Sequence, residues 1–167
     1  MTASGQWEQN IRIQPEEGFR MSDVIVRSLS HLKNEVLYGN DRKLITDEPL
    51  EAGGDDAGPD PYTLVLAALG SCISMTVTLY AKRKAWPLQR VIVRLRQQRI
   101  HAADCQECTQ ITDGYVHRIE RSVTFEGDLS DDQRSRLQEI AHKCPVHKTL
   151  SSEIVISELK DEQVTET

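Results

Sequence analysis

The chain has 167 residues, of which 38% are hydrophobic and 28% charged, with a formal net charge of −6. That is enough chain for one domain, or two small lobes sharing a core. The acidic balance argues against nucleic acid as a partner, because a polyanion is bound by a basic stripe.

The opening MTASGQWEQN has neither the basic start nor the apolar core of a secretory signal. Residues 1–22 are expected to form a loosely structured N-terminal extension, and residues 23–167 a single domain. Four cysteines without a secretion signal indicate free thiols and a cytoplasmic setting, not a disulfide scaffold.

From Val24 the residues alternate in the manner of a strand, NEVLYG reads as a second strand, and RKLITDE as a third. Gly39-Asn40-Asp41 is a turn signal between the second and third. Short adjacent strands predict an antiparallel meander. EAGGDDAGPDP is a loop, its acidic residues serving turns and caps. The carboxylates of DEPLEAGGDD match no standard metal loop.

Asp60-Pro61 then opens a helix, aspartate as cap and proline in the first turn, running to about Lys84 before Trp86-Pro87. Tyr62 to Tyr80 carries no charged side chain and is nearly long enough to span a bilayer. Thr63, Gly70, Ser71, Ser74, Thr76 and Thr78 interrupt it, so a covered central helix is expected and no membrane.

LQRVIVRLRQQRIHA is a clear strand, with Val91, Val93 and Leu95 on one face. VHRIERSVTFEG is the next. Its apolar residues change parity around Ile119, which predicts a bulge or bend. LSDDQRSRLQEIAHKC is a helix capped by Ser130, with Leu137, Ile140 and Ala141 as its apolar stripe. Pro145 breaks it, and SEIVISEL is expected as a final strand. Strands, helix, strands, helix, strand make an α+β protein with mostly antiparallel sheets.

Four residue groups bear on chemistry. Cys72 lies inside the long apolar helix, where a thiol is either a small buried hydrophobe or a rigidly held nucleophile. Its activation needs a cation from elsewhere, and Arg42 or Lys43 is the expected source. Cys144 lies at a helix break among His142, Lys143, His147 and Lys148, a setting suited to a resolving thiol. Cys105 and Cys108 form a CxxC that reads as a surface loop or subunit edge. With His101 it offers at most three ligands toward structural zinc, which needs four. His117 and His31 carry no assigned role.

The segments DEPLEAGGDDAGPDPYTLVLAALGSC, LYAKRKAWPLQRVIV and IAHKCPVHKTL resemble the osmotically inducible protein C and organic hydroperoxide resistance (OsmC/Ohr) superfamily, in particular the branch with a DCxxC segment. The similarity runs over roughly residues 36–159. It implies an intertwined α+β homodimer with long central helices between sheets and active sites at the subunit interface. It also implies a peroxidatic cysteine at Cys72, a resolving cysteine at Cys144 and, in the strands before the helix, an arginine for which Arg42 is the candidate. The family glutamate falls at Tyr62, beside Thr63. Neither residue can pair with a guanidinium as a carboxylate would, and Glu48 or Asp60 are the carboxylates nearby.

The expectation is therefore a two-cysteine peroxidase acting on alkyl or lipid hydroperoxides, with no metal or organic cofactor and an external dithiol as reductant. The long apolar helix is expected to line the substrate pocket. Two other classes are a non-catalytic dimeric protein that binds a small apolar ligand or senses redox state, and a zinc protein built on Cys105, Cys108 and a histidine.

Overall fold

A computed structural model describes residues 23–39, 42–105 and 113–158. The chain divides into two units, Met1–Pro61 and Tyr62–Thr167, and each is taken by itself. The expected N-terminal extension lies outside the described residues, as do Asn40, Asp41 and Cys108.

The first unit is the expected meander. Strands β1 (Val24–Ser28), β2 (Asn34–Tyr38) and β3 (Arg42–Thr46) pair antiparallel in chain order, with Val26 opposite Val36 and Val36 opposite Leu44. The loop after β3 winds around one carboxylate. Asp47 is buried and accepts the amides of Glu48 (2.9 Å), Asp55 (3.0 Å) and Ala57 (3.2 Å). Those donors are also what holds its pKa below the usual carboxylate value, against the opposing effect of burial; Lys33 adds to them. The loop can close this tightly because Gly54 and Gly58 have no side chains. A Cβ there would lie 1.9 Å from the Glu48 carbonyl oxygen or 2.2 Å from that of Ile45. The acidic loop thus serves a turn, as its composition indicates.

The second unit is built on α1 (Pro61–Arg83). Leu69, Ile73, Val77 and Ala81 recur at helical spacing and form its buried stripe. The helix ends one residue before Lys84, where Ala85 adopts a left-handed φ of 52° and the Trp86 amide reaches back to the Ala81 carbonyl at 3.0 Å. By length and composition α1 is apolar enough to cross a bilayer. Its buried stripe is instead the spine of the core, which Phe125, Leu129, Leu137, Ile140, Ala141 and Cys144 complete.

Strands β4 (Leu88–His101) and β5 (Tyr115–Gly127) form an antiparallel hairpin whose Val91, Val93, Leu95, Ile119 and Val123 pack on that core. Gly70 lets the hairpin come close: a Cβ there would meet the Leu95 side chain at 3.0 Å. The expected irregularity near Ile119 is absent, since pairing runs unbroken from Arg90–Glu126 to His101–Tyr115. The apparent parity change arises because Val116 belongs to the opposite face and Arg121 occupies a place in the apolar series Ile119, Val123, Phe125. The register shift lies instead between Leu88 and Arg90. There Gly127 holds a φ of 137°, and a Cβ on it would lie 2.2 Å from the Pro87 carbonyl oxygen.

Helix α2 (Asp131–Ala141) begins with a full capping box: the Gln133 amide donates to Ser130, and the Gln133 side chain accepts the Ser130 amide. Arg134 ties it to the end of β5 through the carbonyls of Phe125 (2.7 Å) and Gly127 (2.9 Å). Helix α3 (Pro145–Leu150) follows after three residues. Residues 153–158, expected as a strand, have no strand structure. Ile154, Val155 and Ile156 are exposed, the last two at 82% and 93%. β-Propensity alone does not make a strand; a hydrogen-bonding edge must accept it.

Candidate active site

The site forms where α2 breaks. Pro145 has no amide to continue α2, so the chain turns and starts α3 with Cys144 as its cap. The His147 amide donates to Cys144 Sγ at 3.4 Å, and the neighbouring Val146 amide donates to Cys72 Sγ at 3.5 Å. Two successive amides of one short helix therefore address two sulfurs from distant parts of the sequence. α1 presents Cys72 from within its central turns, half-buried, while Cys144 is 0% exposed and belongs to the core. Both are free thiols.

Their environments differ. Burial raises the Cys144 pKa above its ordinary 9.0, and a side-chain hydrogen bond with Cys72 raises it further. The amides of His147 and Val146 pull the other way. Cys144 is thus protonated at neutral pH, and a base or a neighbouring charge must help it become a nucleophile.

Of the expected cations, Arg42 begins β3 opposite Tyr38 in the first unit and is exposed. Lys43 is paired with Glu35 at 2.9 Å. His142 and His147 flank Cys144, their rings 6.3 Å apart. Burial, then the charges of Arg121 and His147, lower the His142 pKa. Lys143 and Lys148 face solvent.

Reading the sequence missed Arg121. It is partly buried on β5 opposite Leu95, and its Nη1 donates to the carbonyl of Ala141, the last residue of α2, at 2.9 Å. The only signal was a cation in an otherwise apolar alternation.

Tyr62, at the family's glutamate position, stacks on His117 with ring centroids 5.8 Å apart, and His117 Nδ1 lies 2.8 Å from Gln97 Nε2. A groove of about 690 Å³ runs between α1 and β4, lined by Leu66, Ala67, Gly70, Met75, Val91 and Val93 among others. The apolar helix lines this groove, but Cys72 is not among its walls.

Cys105 is disulfide-bonded, against the expectation that all four cysteines are free thiols. A sulfur in that state has no thiolate for zinc. His101 accepts the Ala103 amide at 3.2 Å and packs edge-on against Tyr115.

An α+β domain with two converging thiols at a helix start is the class these features define. The chain belongs to the OsmC-like protein family, whose model matches residues 53–158 and so runs through α1 and both thiols. Among solved structures, it is similar to an OsmC-like protein of Mycoplasma pneumoniae (16% identity, 80% of this chain and 89% of that one, TM-score 0.61). It is also similar to organic hydroperoxide resistance proteins of Legionella pneumophila (17%, 80% and 91%, 0.59) and Elizabethkingia anophelis (16%, 80% and 89%, 0.59). At these identities the likeness establishes the shared fold. No curated protein matches the chain.

Proposed function

We propose that this protein is a thiol-dependent peroxidase that reduces organic hydroperoxides through Cys72 and Cys144. The observation that carries this reading is the pair of α3 amides directed at both sulfurs. The hydroperoxide resistance named for its structural relatives supports it.

Cys72 is the more accessible thiol and takes the peroxide. Its thiolate attacks the terminal peroxide oxygen, the O–O bond breaks, and the alkoxide leaves and gains a proton from solvent as the alcohol. Sulfur is oxidised to the sulfenic acid. The Cys144 thiolate then attacks that sulfur, a disulfide forms, and hydroxide leaves as water. An external dithiol restores both thiols by two exchanges and itself becomes a disulfide. Sulfur carries the electrons throughout. The resemblance gives the peroxide-orienting guanidinium to Arg42, and a rise in KM for peroxide in Arg42→Ala tests that.

Self-association belongs to the same proposal. α1 exposes Tyr62, Val65, Met75 at 64% and Leu79 at 55%, an apolar surface that a second copy would bury.

The test is intact mass with thiol mapping before and after one equivalent of cumene hydroperoxide. A new Cys72–Cys144 bond supports the mechanism, and no peroxide consumption by freshly reduced protein at any pH removes it. The α1–β4 groove favours a second reading, a carrier of a small apolar ligand. Ligand binding unaffected by Cys72→Ser, together with no peroxide turnover, selects that reading.

A further inference from the structure

Arg121 sits where a cation is costly. Its neighbours on the same face of β5 are Ile119, Val123 and Phe125, and across the hairpin it meets Leu95. Among the described residues no carboxylate lies within ion-pair distance of it. Its one direct hydrogen bond to a described residue goes to the neutral carbonyl of Ala141. A guanidinium has five donors and stays charged, so a partly buried one without an anion is poorly compensated.

A thiol that can ionise follows its one partner by three residues. Ala141 and Cys144 are both fully buried, three residues apart, and Arg121 grips the carbonyl of the first. The attraction between guanidinium and thiolate is felt at Arg121 as a force opposing its desolvation. Such an attraction is mutual, but at Cys144 burial and the Cys72 contact outweigh it and keep the thiol pKa raised. The other groups acting on Cys144 are Cys72 from α1 and the amides of Val146 and His147, while on its own segment the His142 side chain is exposed. Lys143 and Lys148 there are exposed.

We propose that Arg121 is the positioning residue of the resolving step, fixing the α2–α3 turn through Ala141 and supplying the charge that balances the Cys144 thiolate. This rests on the peroxidase reading above. The same charge serves twice in a cycle. It favours the Cys144 thiolate as it attacks the Cys72 sulfenic acid. It favours it again as leaving group, when a reductant thiolate attacks Cys72 sulfur and the Cys72–Cys144 bond breaks.

The experiment compares Arg121→Met, which removes charge and donors, with Arg121→Lys, which keeps the charge. In a Cys72→Ser background, the Cβ NMR shift of isotope-labelled Cys144 is followed against pH. Arg121→Met is expected to move the thiol midpoint up by about one pH unit, the order expected for loss of a neighbouring opposite charge. Arg121→Lys should leave it within a few tenths of a unit. An unmoved midpoint in Arg121→Met, or an equal shift in both variants, overturns the proposal.

With Cys72 present, the pH profile of disulfide formation after one equivalent of cumene hydroperoxide should move in parallel, while sulfenic acid formation at Cys72 keeps its rate. Absence of sulfenic acid in Cys144→Ser, together with no disulfide in the unsubstituted protein, would sink the peroxidase reading, and the titration would still decide the role of Arg121. If circular dichroism shows Arg121→Met unfolded, Arg121→Gln, which retains a donor for Ala141, takes its place with the same two outcomes.

Discussion

The Val146 amide donates to the sulfur of Cys72 across 74 positions of sequence, at 3.5 Å. One residue further along, His147 does the same for Cys144 at 3.4 Å. Each amide belongs to the first turn of α3, where backbone donors have no helical partner, so both are free for sulfur. The turn that follows Ala141 therefore brings the two thiols to one place.

Separating the roles of the two thiols follows from their burial. Cys72→Ser should reduce peroxide turnover to the uncatalysed background. Cys144→Ser should consume one equivalent and stop, leaving a sulfenic acid at Cys72 that a dimedone adduct reveals by mass. A Cys144→Ser protein that still forms an intramolecular disulfide with Cys72 would contradict the assignment.

The pH dependence of the resolving step has a definite sign. Burial first, and the Cys72 contact second, push the Cys144 pKa above 9.0, and only the thiolate attacks. Disulfide formation, followed by quenched-flow alkylation, should be slow at neutral pH. It should rise about tenfold per pH unit until the thiol titrates. A plateau below pH 9.0 would contradict the raised value.

Asp47 makes the loop before α1 sensitive to acid. Its folded pKa lies below 3.8, so its contribution to stability is complete above that value and is lost as pH falls through the lower folded one. The urea midpoint of the unsubstituted protein should drop over that acid window. Asp47→Asn should start lower and vary less there. An identical acid profile in both proteins would place the acid sensitivity elsewhere.

Gly127→Ala tests the join between β5 and the start of β4. The new methyl would meet the Pro87 carbonyl oxygen, and φ of 137° is strained for any other residue. A loss of about 1–3 kcal/mol is expected. Differential scanning calorimetry should register it as a lower Tm, roughly 2–4 °C per kcal/mol for a chain of this size.

Leu79→Glu tests self-association through α1. Leu79 is 55% exposed on a helix whose face has no charge from Tyr62 to Tyr80. A carboxylate buried there without a partner is strongly disfavoured. Light scattering should show a dimer in the unsubstituted protein and a monomer in the variant. An unchanged dimer would move the interface off this face.

Much of this protein was legible in its residues because helices, strands and caps depend on spacings of a few positions. Ser130 as the cap of α2, the stripe of Leu137, Ile140 and Ala141, and the alternation of β4 are of that kind. The contexts of Cys72 and Cys144 marked them out by the same local logic, and the resemblance named their family. Local patterns also misled where an outcome needed a remote partner. Residues 153–158 have strand composition but pair with no strand among the described residues, and the parity change near Ile119 came from Val116 lying on the opposite face, not from a bulge. Only the packing of α2 against β5 decided which cation reaches the turn before the buried thiol. That contact joins Arg121 to Ala141 across 20 positions of chain, and no periodicity encodes it.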